Sequence, residues 1–304
     1  MLEQKLEGVF PVLTLPFTMD REVDYDSLKR LIDFLIDKGA DGLAVFGLNT
    51  EFYKISDAEA KKITELLVKH NNGRVKLVAG VGKPGTETTI EQARICQEFG
   101  LDAIIIFPPY CVPISPENLF KHYADVSDSV EIPVIIQDSP KYSGVNMDLE
   151  FFKKLSQQCQ NIRYAKIENQ LSGPKISRII QSSKGRIDVF AGKGGTHYME
   201  HLQRGVCGIM PGCAIIELFV DIFKKYKSKQ FEQADAIFED MATLLYLEDQ
   251  EIEYYIASEK EMLEYRGIIA SSQSRRPAAE LDNIARKILR EKLKRLIEKF
   301  KLEV

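Results

Sequence analysis

The chain has 304 residues, enough to bury the core of one large domain or of one domain with an appendage. Apolar residues make up 44% of it and charged residues 28%, as in ordinary globular enzymes, and a net charge of −4 argues against nucleic acid as the main partner. No apolar run reaches the roughly 18 residues of a membrane span, and neither a signal peptide nor a C-x-x-C pair is evident, which predicts a cytoplasmic protein without a membrane partner.

Eight short apolar runs, rich in valine and isoleucine, alternate with amphipathic segments along the chain. Near-continuous apolar runs of this kind are typical of parallel strands that are covered on both faces. Between them, Ser56–Glu59 has the pattern of a capping box, Ser115 before Pro116 marks a second helix start, and Asp148 marks a third. The predicted strands are Gly8–Pro16, Gly42–Gly47, Val75–Gly80, Ala103–Phe107, Pro133–Gln137, Ile162–Ile167, Ile187–Ala191 and Cys207–Met210.

The order of these elements predicts the fold. Repeated strand–helix units indicate right-handed parallel crossovers, and eight of them fit a closed (β/α)8 TIM barrel better than an open doubly wound sheet. From about Ile215 onward the sequence has only helical periodicity, with a break at Gly267–Pro277. We therefore predict an α/β fold with a (β/α)8 barrel over residues 1–224 and a C-terminal helical extension over residues 225–304.

A lysine and a glutamate stand two residues apart at the end of the sixth predicted strand. Strand side chains alternate between faces, so Lys166 and Glu168 should point the same way. Burial disfavours the charged form of a lysine, and the free amine is the form that attacks a carbonyl to make a Schiff base. We predict that Lys166 is a catalytic nucleophile and that Glu168 moves a proton beside it; the alternative is a structural ion pair.

Other residues able to do chemistry follow the remaining predicted strands. In a TIM barrel the active site lies at the carboxyl ends of the strands, so residues at those ends should share one pocket. Tyr110, after the fourth strand, is predicted to be catalytic. The predicted substrate-binding residues are Leu48, Asn49 and Thr50 after the second strand, Gln137 on the fifth, and Gly192 and Lys193 after the seventh.

Five segments carry a resemblance to a known family: Thr14–Phe17, Gly47–Glu51, Pro108–Tyr110, Pro133–Pro140 and Lys166. On these segments the chain resembles the dihydrodipicolinate synthase and N-acetylneuraminate lyase family, the Schiff-base class I aldolase barrels, over essentially its whole length. The resemblance implies a lyase in which Lys166 forms an imine with the ketone of a small-molecule 2-oxo acid. It also implies no metal, no other cofactor, and a homo-oligomer, either a tetramer or a dimer.

Departures from the family pattern indicate a branch of the family. Gln137 stands where the family has a catalytic tyrosine, and an amide has no usable pKa for proton transfer. Cys111 and Tyr142 stand where the synthase has a second tyrosine and an arginine, so a role in lysine biosynthesis is not expected. Gln137 together with Glu168 is similar to the branch that dehydrates 2-keto-3-deoxy sugar acids.

The similarity to that branch implies a role for each group in the pocket. Glu168 would remove the proton next to the imine, and Tyr110 would protonate the departing hydroxyl. Backbone N–H groups of residues 48–50 would hold the substrate carboxylate. Gln137 and Asn49 would orient the sugar hydroxyls.

Several alternatives stay open. Retro-aldol cleavage to pyruvate and an aldehyde shares the imine with dehydration, and a non-catalytic sugar-acid sensor could use the same fold. Lys193 replaces an asparagine of the dehydratase branch, so it is either a solvated loop lysine or a contact to a more acidic substrate. Gly80–Gly85 matches a dinucleotide pattern but lacks the acidic residue that should follow, and His197–His201 matches a zinc pattern without an obvious third ligand.

Overall fold

The structure, a computed structural model, describes residues 5–303 and contains a parallel sheet of eight strands that nearly closes on itself. The strands from β2 to β8 pair in chain order, and β8 pairs with β1. A bridge between Val12 and Ala44 joins the first strand segment to the second and completes the ring. The strands are β1 (Gly8–Val9), β2 (Gly42–Val45), β3 (Lys76–Gly80), β4 (Ala103–Ile106), β5 (Val134–Asp138), β6 (Ile162–Ile167), β7 (Asp188–Ala191) and β8 (Gly208–Ile209).

At least one helix follows every strand, which confirms the (β/α)8 barrel. The predicted helix starts are also confirmed, since Ser56 and Glu59 form a capping box and the side chains of Ser115 and Asp148 accept backbone N–H groups. The helices are α1 (Tyr25–Asp37), α2 (Asp57–Asn71), α3 (Thr86–Glu98), α4 (Pro116–Asp128), α5 (Pro140–Ser143), α6 (Leu149–Gln158), α7 (Ser172–Ser182), α8 (Tyr198–Gln203), α9 (Ile216–Lys227), α10 (Phe231–Glu248), α11 (Ile252–Tyr265) and α12 (Asn283–Phe300).

The first strand is much shorter than the predicted run Gly8–Pro16. Pro11 has no N–H to donate, so regular ladder pairing cannot continue through it. The chain stays extended beyond β1, because Phe10 donates its N–H to Ile209 O at 2.8 Å and Val12 donates to Pro211 O at 2.8 Å. The barrel therefore closes through single hydrogen bonds as well as through strands.

Apolar side chains form two layers around the sheet. The larger lies between the strands and the surrounding helices, and the smaller fills the barrel interior with rings such as Phe10, Tyr164 and Phe190. The centroids of the Phe10 and Phe190 rings are 5.3 Å apart in an edge-to-face contact. Because strand side chains alternate, Lys166 shares the inward face of β6 with Tyr164 and points into the barrel.

The C-terminal helices pack against the barrel. α10 lies against α9 and α12, and α11 lies against the short 3-10 turn Leu48–Thr50 that follows β2. The predicted boundary between residues 224 and 225 lies inside α9, and division into two domains stays a prediction. The non-helical break is longer than predicted, because α11 ends at Tyr265 and α12 begins at Asn283. None of the helices within residues 5–303 is both long and apolar enough to cross a membrane.

Candidate active site

A pocket opens at the carboxyl ends of the strands, between the barrel mouth and helices α10 and α11. Six of the nine predicted site residues line it, so Lys166, Glu168 and Gln137 lie in one cavity. The C-terminal extension supplies six further residues from 245 onward. The lining residues are Val12, Leu48, Asn49, Gln137, Lys141, Tyr142, Lys166, Glu168, Lys193, Gly194, Thr196, Met210, Pro211, Leu245, Glu248, Asp249, Glu251, Ile252 and Tyr255.

Lys166 and Glu168 face each other inside this pocket. Lys166 is 6% exposed, and its Nζ lies 3.4 Å from Glu168 Oε1. The sheet register sets Gln137 of β5 beside Lys166 of β6 and Phe190 of β7 on its other side. The predicted shared orientation of the lysine and the glutamate is confirmed.

The Glu168 carboxylate is fixed by groups on both sides. Its Oε2 accepts a hydrogen bond from Gln137 Nε2 at 2.9 Å, and its Oε1 accepts from the backbone N–H of Lys193 at 2.8 Å. Gly192 makes room for it, since a Cβ on Gly192 would lie 2.4 Å from Glu168 Cγ. The amide that replaces the family tyrosine therefore positions the carboxylate next to the lysine.

These contacts keep Glu168 in its charged form. Burial alone would raise the pKa of the Glu168 carboxyl, but the Lys166 ammonium, the Lys193 N–H and the Gln137 amide together hold that pKa below its ordinary value. An ionised carboxylate is the form that accepts a proton. Glu168 is thus a competent general base within reach of any group bound to Lys166.

The loop after β2 presents an amide to the pocket. Asn49 donates from Nδ2 to Val12 O at 2.9 Å and to Thr14 Oγ1 at 2.8 Å, while its Oδ1 is buried without a hydrogen-bond partner. Thr50 donates from Oγ1 to Leu13 O at 2.7 Å and does not line the pocket. The loop therefore offers one unused acceptor, whereas the Thr50 hydroxyl anchors the loop to the first strand segment.

Three predicted site residues do not line the pocket. Thr50 anchors the loop that carries Leu48 and Asn49, and Gly192 makes room for Glu168. The Tyr110 ring packs on Phe52 and Phe107, with centroids 6.4 and 6.0 Å apart, and lies outside the lining. The structure therefore gives Tyr110 no contact with the pocket, and its role as a proton donor stays a prediction.

Two ion pairs connect the barrel mouth to the C-terminal helices. Lys193 Nζ lies 2.9 Å from Asp249 Oδ2, and Lys141 Nζ lies 3.2 Å from Glu251 Oε2. From the sequence, Lys193 could be either a solvated loop lysine or a contact to the substrate. In the structure it forms an ion pair with Asp249 of the same chain. Asp249 and Glu251 could not be predicted as site residues, because a helical sequence pattern does not indicate where the C-terminal extension packs on the barrel.

A buried glutamate in the pocket wall, Glu248, interacts electrostatically with a second buried glutamate, Glu259. Glu248, at the end of α10, is 2% exposed and its Oε1 has no hydrogen-bond partner. Glu259 of α11 is also 2% exposed, and its Oε2 accepts the backbone N–H groups of Cys213 and Ala214. Burial, with Coulomb repulsion from Glu259, raises the pKa of Glu248 well above its ordinary value.

The two competing sequence motifs have structural explanations. Of the zinc-like pair, His201 is buried with its Nε2 2.9 Å from Ser172 Oγ, and residues 5–303 contain no cluster of three or more histidine, cysteine or acidic side chains able to hold a metal. In the glycine pattern, a Cβ on Gly80 would lie 2.2 Å from Phe46 O, and one on Gly82 would lie 2.5 Å from Phe107 Cβ. These glycines allow neighbouring strand ends to approach each other.

Comparison with known sequences gives a family and named relatives. The sequence model described as the dihydrodipicolinate synthetase family matches residues 5–296. The chain is 27% identical to the L-2-keto-3-deoxyarabonate dehydratase of Azospirillum brasilense over 90% of this chain and 89% of that protein. It is 34% identical to the 4-hydroxy-tetrahydrodipicolinate synthase of Methanocaldococcus jannaschii, over 59% of this chain and 61% of that protein.

Comparison with solved structures shows the same barrel. The dihydrodipicolinate synthase of Aquifex aeolicus superposes with a TM-score of 0.90 at 24% identity, covering 98% of this chain and 99% of that one. YagE, a prophage protein from E. coli K12 solved in complex with pyruvate, superposes with a TM-score of 0.88 at 25% identity. That match covers 95% of this chain and 98% of YagE.

Proposed function

The chain belongs to the dihydrodipicolinate synthetase family and is therefore a lyase, and from that premise we propose that it removes water from a 2-keto-3-deoxy sugar acid. Lys166 forms an imine with the substrate ketone in this proposal, and Glu168 is the base. The observation that carries it is the Glu168 carboxyl group, which lies 3.4 Å from Lys166 Nζ and is held there by Gln137 and the Lys193 N–H.

The electron sink of the reaction is the protonated imine that forms on Lys166. The free amine of Lys166 attacks the ketone carbon, the ketone oxygen leaves as water, and uptake of one proton from solvent gives a protonated imine. Glu168 then takes a proton from the adjacent carbon, whose electron pair forms an enamine. The enamine expels the hydroxyl on the next carbon, which leaves as water after receiving a proton from a donor in the pocket.

Other pocket groups have binding roles in this proposal. Backbone N–H groups of the Leu48–Thr50 turn hold the substrate carboxylate, as the family resemblance implies. The unpartnered Asn49 Oδ1 is an acceptor for a sugar hydroxyl. Gln137 acts mainly through Glu168, because its amide N–H is already engaged there.

One named relative is a dehydratase. The A. brasilense protein matches 90% of this chain at 27% identity, but a synthase of the family matches 97% of it at the same identity, so the choice of dehydration over cleavage rests on the pocket residues. Retro-aldol cleavage must remove a proton from the substrate hydroxyl, and Gln137, in the family tyrosine position, cannot do so. Glu168 is placed beside the imine, where dehydration needs a base.

Reductive trapping tests this proposal. Incubation with pyruvate and borohydride should leave a covalent adduct on Lys166, found by peptide mass spectrometry and lost in Lys166→Met. Lys83→Met, which changes a lysine outside the lining, is the matched control and should keep the adduct.

A panel of 2-keto-3-deoxy acids then separates the reaction types. Loss of one water from the substrate supports dehydration, whereas release of pyruvate would replace it with retro-aldol cleavage. If neither the adduct nor turnover is detected, the non-catalytic sugar-acid sensor replaces the enzyme as the proposed function.

Two further expectations concern the whole protein. A homo-oligomer, tetramer or dimer, and a cytoplasmic location both stay predictions.

A further inference from the structure

Four carboxyl groups line the pocket, and three of them face a lysine. Glu168 faces Lys166, while Asp249 and Glu251 pair with lysines of the barrel mouth, as described above. Against the effect of burial, the Lys166 ammonium lowers the pKa of the Glu168 carboxyl, and the Ile252 N–H with Lys141 lowers the pKa of the Glu251 carboxyl, so these two groups accept a proton rather than donate one. Glu248 is the fourth, and within residues 5–303 it has no ion-pair partner.

The surroundings of Glu248 keep a proton on it. Its neighbour Glu259 accepts two backbone N–H groups, at 2.6 Å from Cys213 and 3.1 Å from Ala214, and also interacts with the Thr14 hydroxyl. Those donors favour the charged form of Glu259. Two buried carboxyl groups whose charges repel each other cannot both ionise cheaply, so Glu259 ionises first and Glu248, which has no hydrogen-bond donor of its own, keeps its proton.

The position of Glu248 in the pocket wall indicates that it contacts a bound ligand. It is 2% exposed, lines the pocket that holds Lys166, and leaves Oε1 without a hydrogen-bond partner. A buried polar atom without a partner is unfavourable, and a bound substrate hydroxyl would supply the missing hydrogen bond. We infer that Glu248 is the acid that protonates the departing hydroxyl, an assignment that rests on the proposed dehydration.

Other donors fit this role less well. Tyr110 lies outside the lining, packed on Phe52 and Phe107. Tyr142 lines the pocket, but burial raises the pKa of its phenol above its ordinary value of 10.0, which makes it a weaker acid than a carboxyl group. Gln137 has no proton to transfer at neutral pH.

The proton transfers balance. The Glu168 carboxylate takes the proton of the carbon next to the imine, and the resulting electron pair moves through the enamine to break the carbon–oxygen bond. The oxygen keeps the electrons of that bond, accepts the Glu248 proton and leaves as water. Glu168 ends protonated and Glu248 ionised, and exchange with solvent after product release restores both groups.

Two reactions of the same protein test this role, because only one of them has a leaving hydroxyl. Hydrogen–deuterium exchange at the pyruvate methyl group, followed by NMR, needs Lys166 and Glu168 but no leaving-group acid. Dehydration of L-2-keto-3-deoxyarabonate needs all three. For Glu248→Gln we expect dehydration kcat to fall about 10²-fold or more, with KM and pyruvate exchange changed less than about threefold.

Two comparison variants complete the experiment. Glu168→Gln should lose exchange and dehydration together, and Glu239→Gln, an exposed site on the same helix as Glu248, should change neither. Dehydration within threefold of wild type in Glu248→Gln would overturn the acid role, and so would an equal loss of exchange and dehydration. A wild-type protein that neither traps nor exchanges pyruvate would instead overturn the proposed function.

Discussion

At the level of single residues, the position of the Glu168 base depends on Gly192, which has no side chain. Glu168 occupies the space beside Gly192, where a Cβ would lie 2.4 Å from its Cγ and 2.7 Å from its Oε1. The neighbouring Lys193 N–H then holds the same Oε1. One backbone segment thus leaves room for the carboxylate and also orients it.

Gly192→Ala should therefore displace the base while leaving the nucleophile in place. Misplacement of a catalytic group by about 1 Å can cost about 10²-fold in rate, so we expect dehydration and pyruvate exchange both to fall by that order. Reductive trapping of pyruvate on Lys166 should continue. The measurement is exchange by NMR beside the trapped fraction by mass spectrometry.

Gly85→Ala is the matched control for that change. Its φ of −104° suits any residue, and its added Cβ would lie no closer than 3.3 Å to Thr88 Oγ1. Exchange should be normal in this variant. Normal exchange in Gly192→Ala as well would show that Glu168 is not constrained by this glycine.

At the level of elements, helix α11 holds the loop that follows β2. Lys260 of α11 is fully buried and pairs with Glu51, while Lys54 Nζ lies 2.9 Å from the other oxygen of the same carboxylate. Burial lowers the pKa of Lys260 to about 8, although Glu51 opposes that shift. The C-terminal extension is thereby linked by charge to the turn that presents Asn49.

Removing Lys260 should destabilise this connection. Lys260→Met leaves buried Glu51 with only Lys54, and breaking a buried pair costs about 3–5 kcal/mol, so we expect a loss of about 3 kcal/mol in the free energy of unfolding. Urea unfolding measures it. The double variant Glu51→Gln with Lys260→Met should lose less than the sum of the single variants.

A surface pair provides the reference for this measurement. Lys299 pairs with Asp240 with its side chain 59% exposed, so Lys299→Met should cost less than about 1 kcal/mol. Equal losses for Lys260→Met and Lys299→Met would contradict a structural role for the buried pair.

The sequence predicts the elements better than their assembly. The alternation of side chains along a strand is a local property, so the sequence predicts that Lys166 and Glu168 share a face. The apolar runs likewise predict the eight strands. The docking of α10 and α11 over the barrel mouth depends on contacts between distant segments, which no local pattern encodes. One clue was present: Glu248 continues the buried spacing of Met241, Leu244 and Leu245, where an apolar residue is expected.

At the level of the whole molecule, the buried acid pair couples folding to pH. Burial raises the pKa of Glu259 to about 7 and that of Glu248 well above its ordinary 4.5. Above about pH 4.5 the unfolded chain releases both protons, whereas the folded chain loses the Glu259 proton only near pH 7 and keeps the Glu248 proton beyond that. The folded state therefore binds more protons in this window, and its stability should fall as the pH rises through it.

Glu248→Gln should remove much of this penalty, since an amide carries no proton to release in the unfolded chain. Each proton retained by the folded state costs about 1.4 kcal/mol for every pH unit, so the variant should gain on the order of 4 kcal/mol relative to wild type between about pH 5 and pH 8. Urea unfolding across that range measures the difference. The buried histidines His122 and His201, whose pKa values burial lowers to about 4, titrate in both proteins and cancel. Parallel stability curves would mean that Glu248 ionises in the folded state as it does in the unfolded state, and an ionised Glu248 could not donate to a leaving hydroxyl.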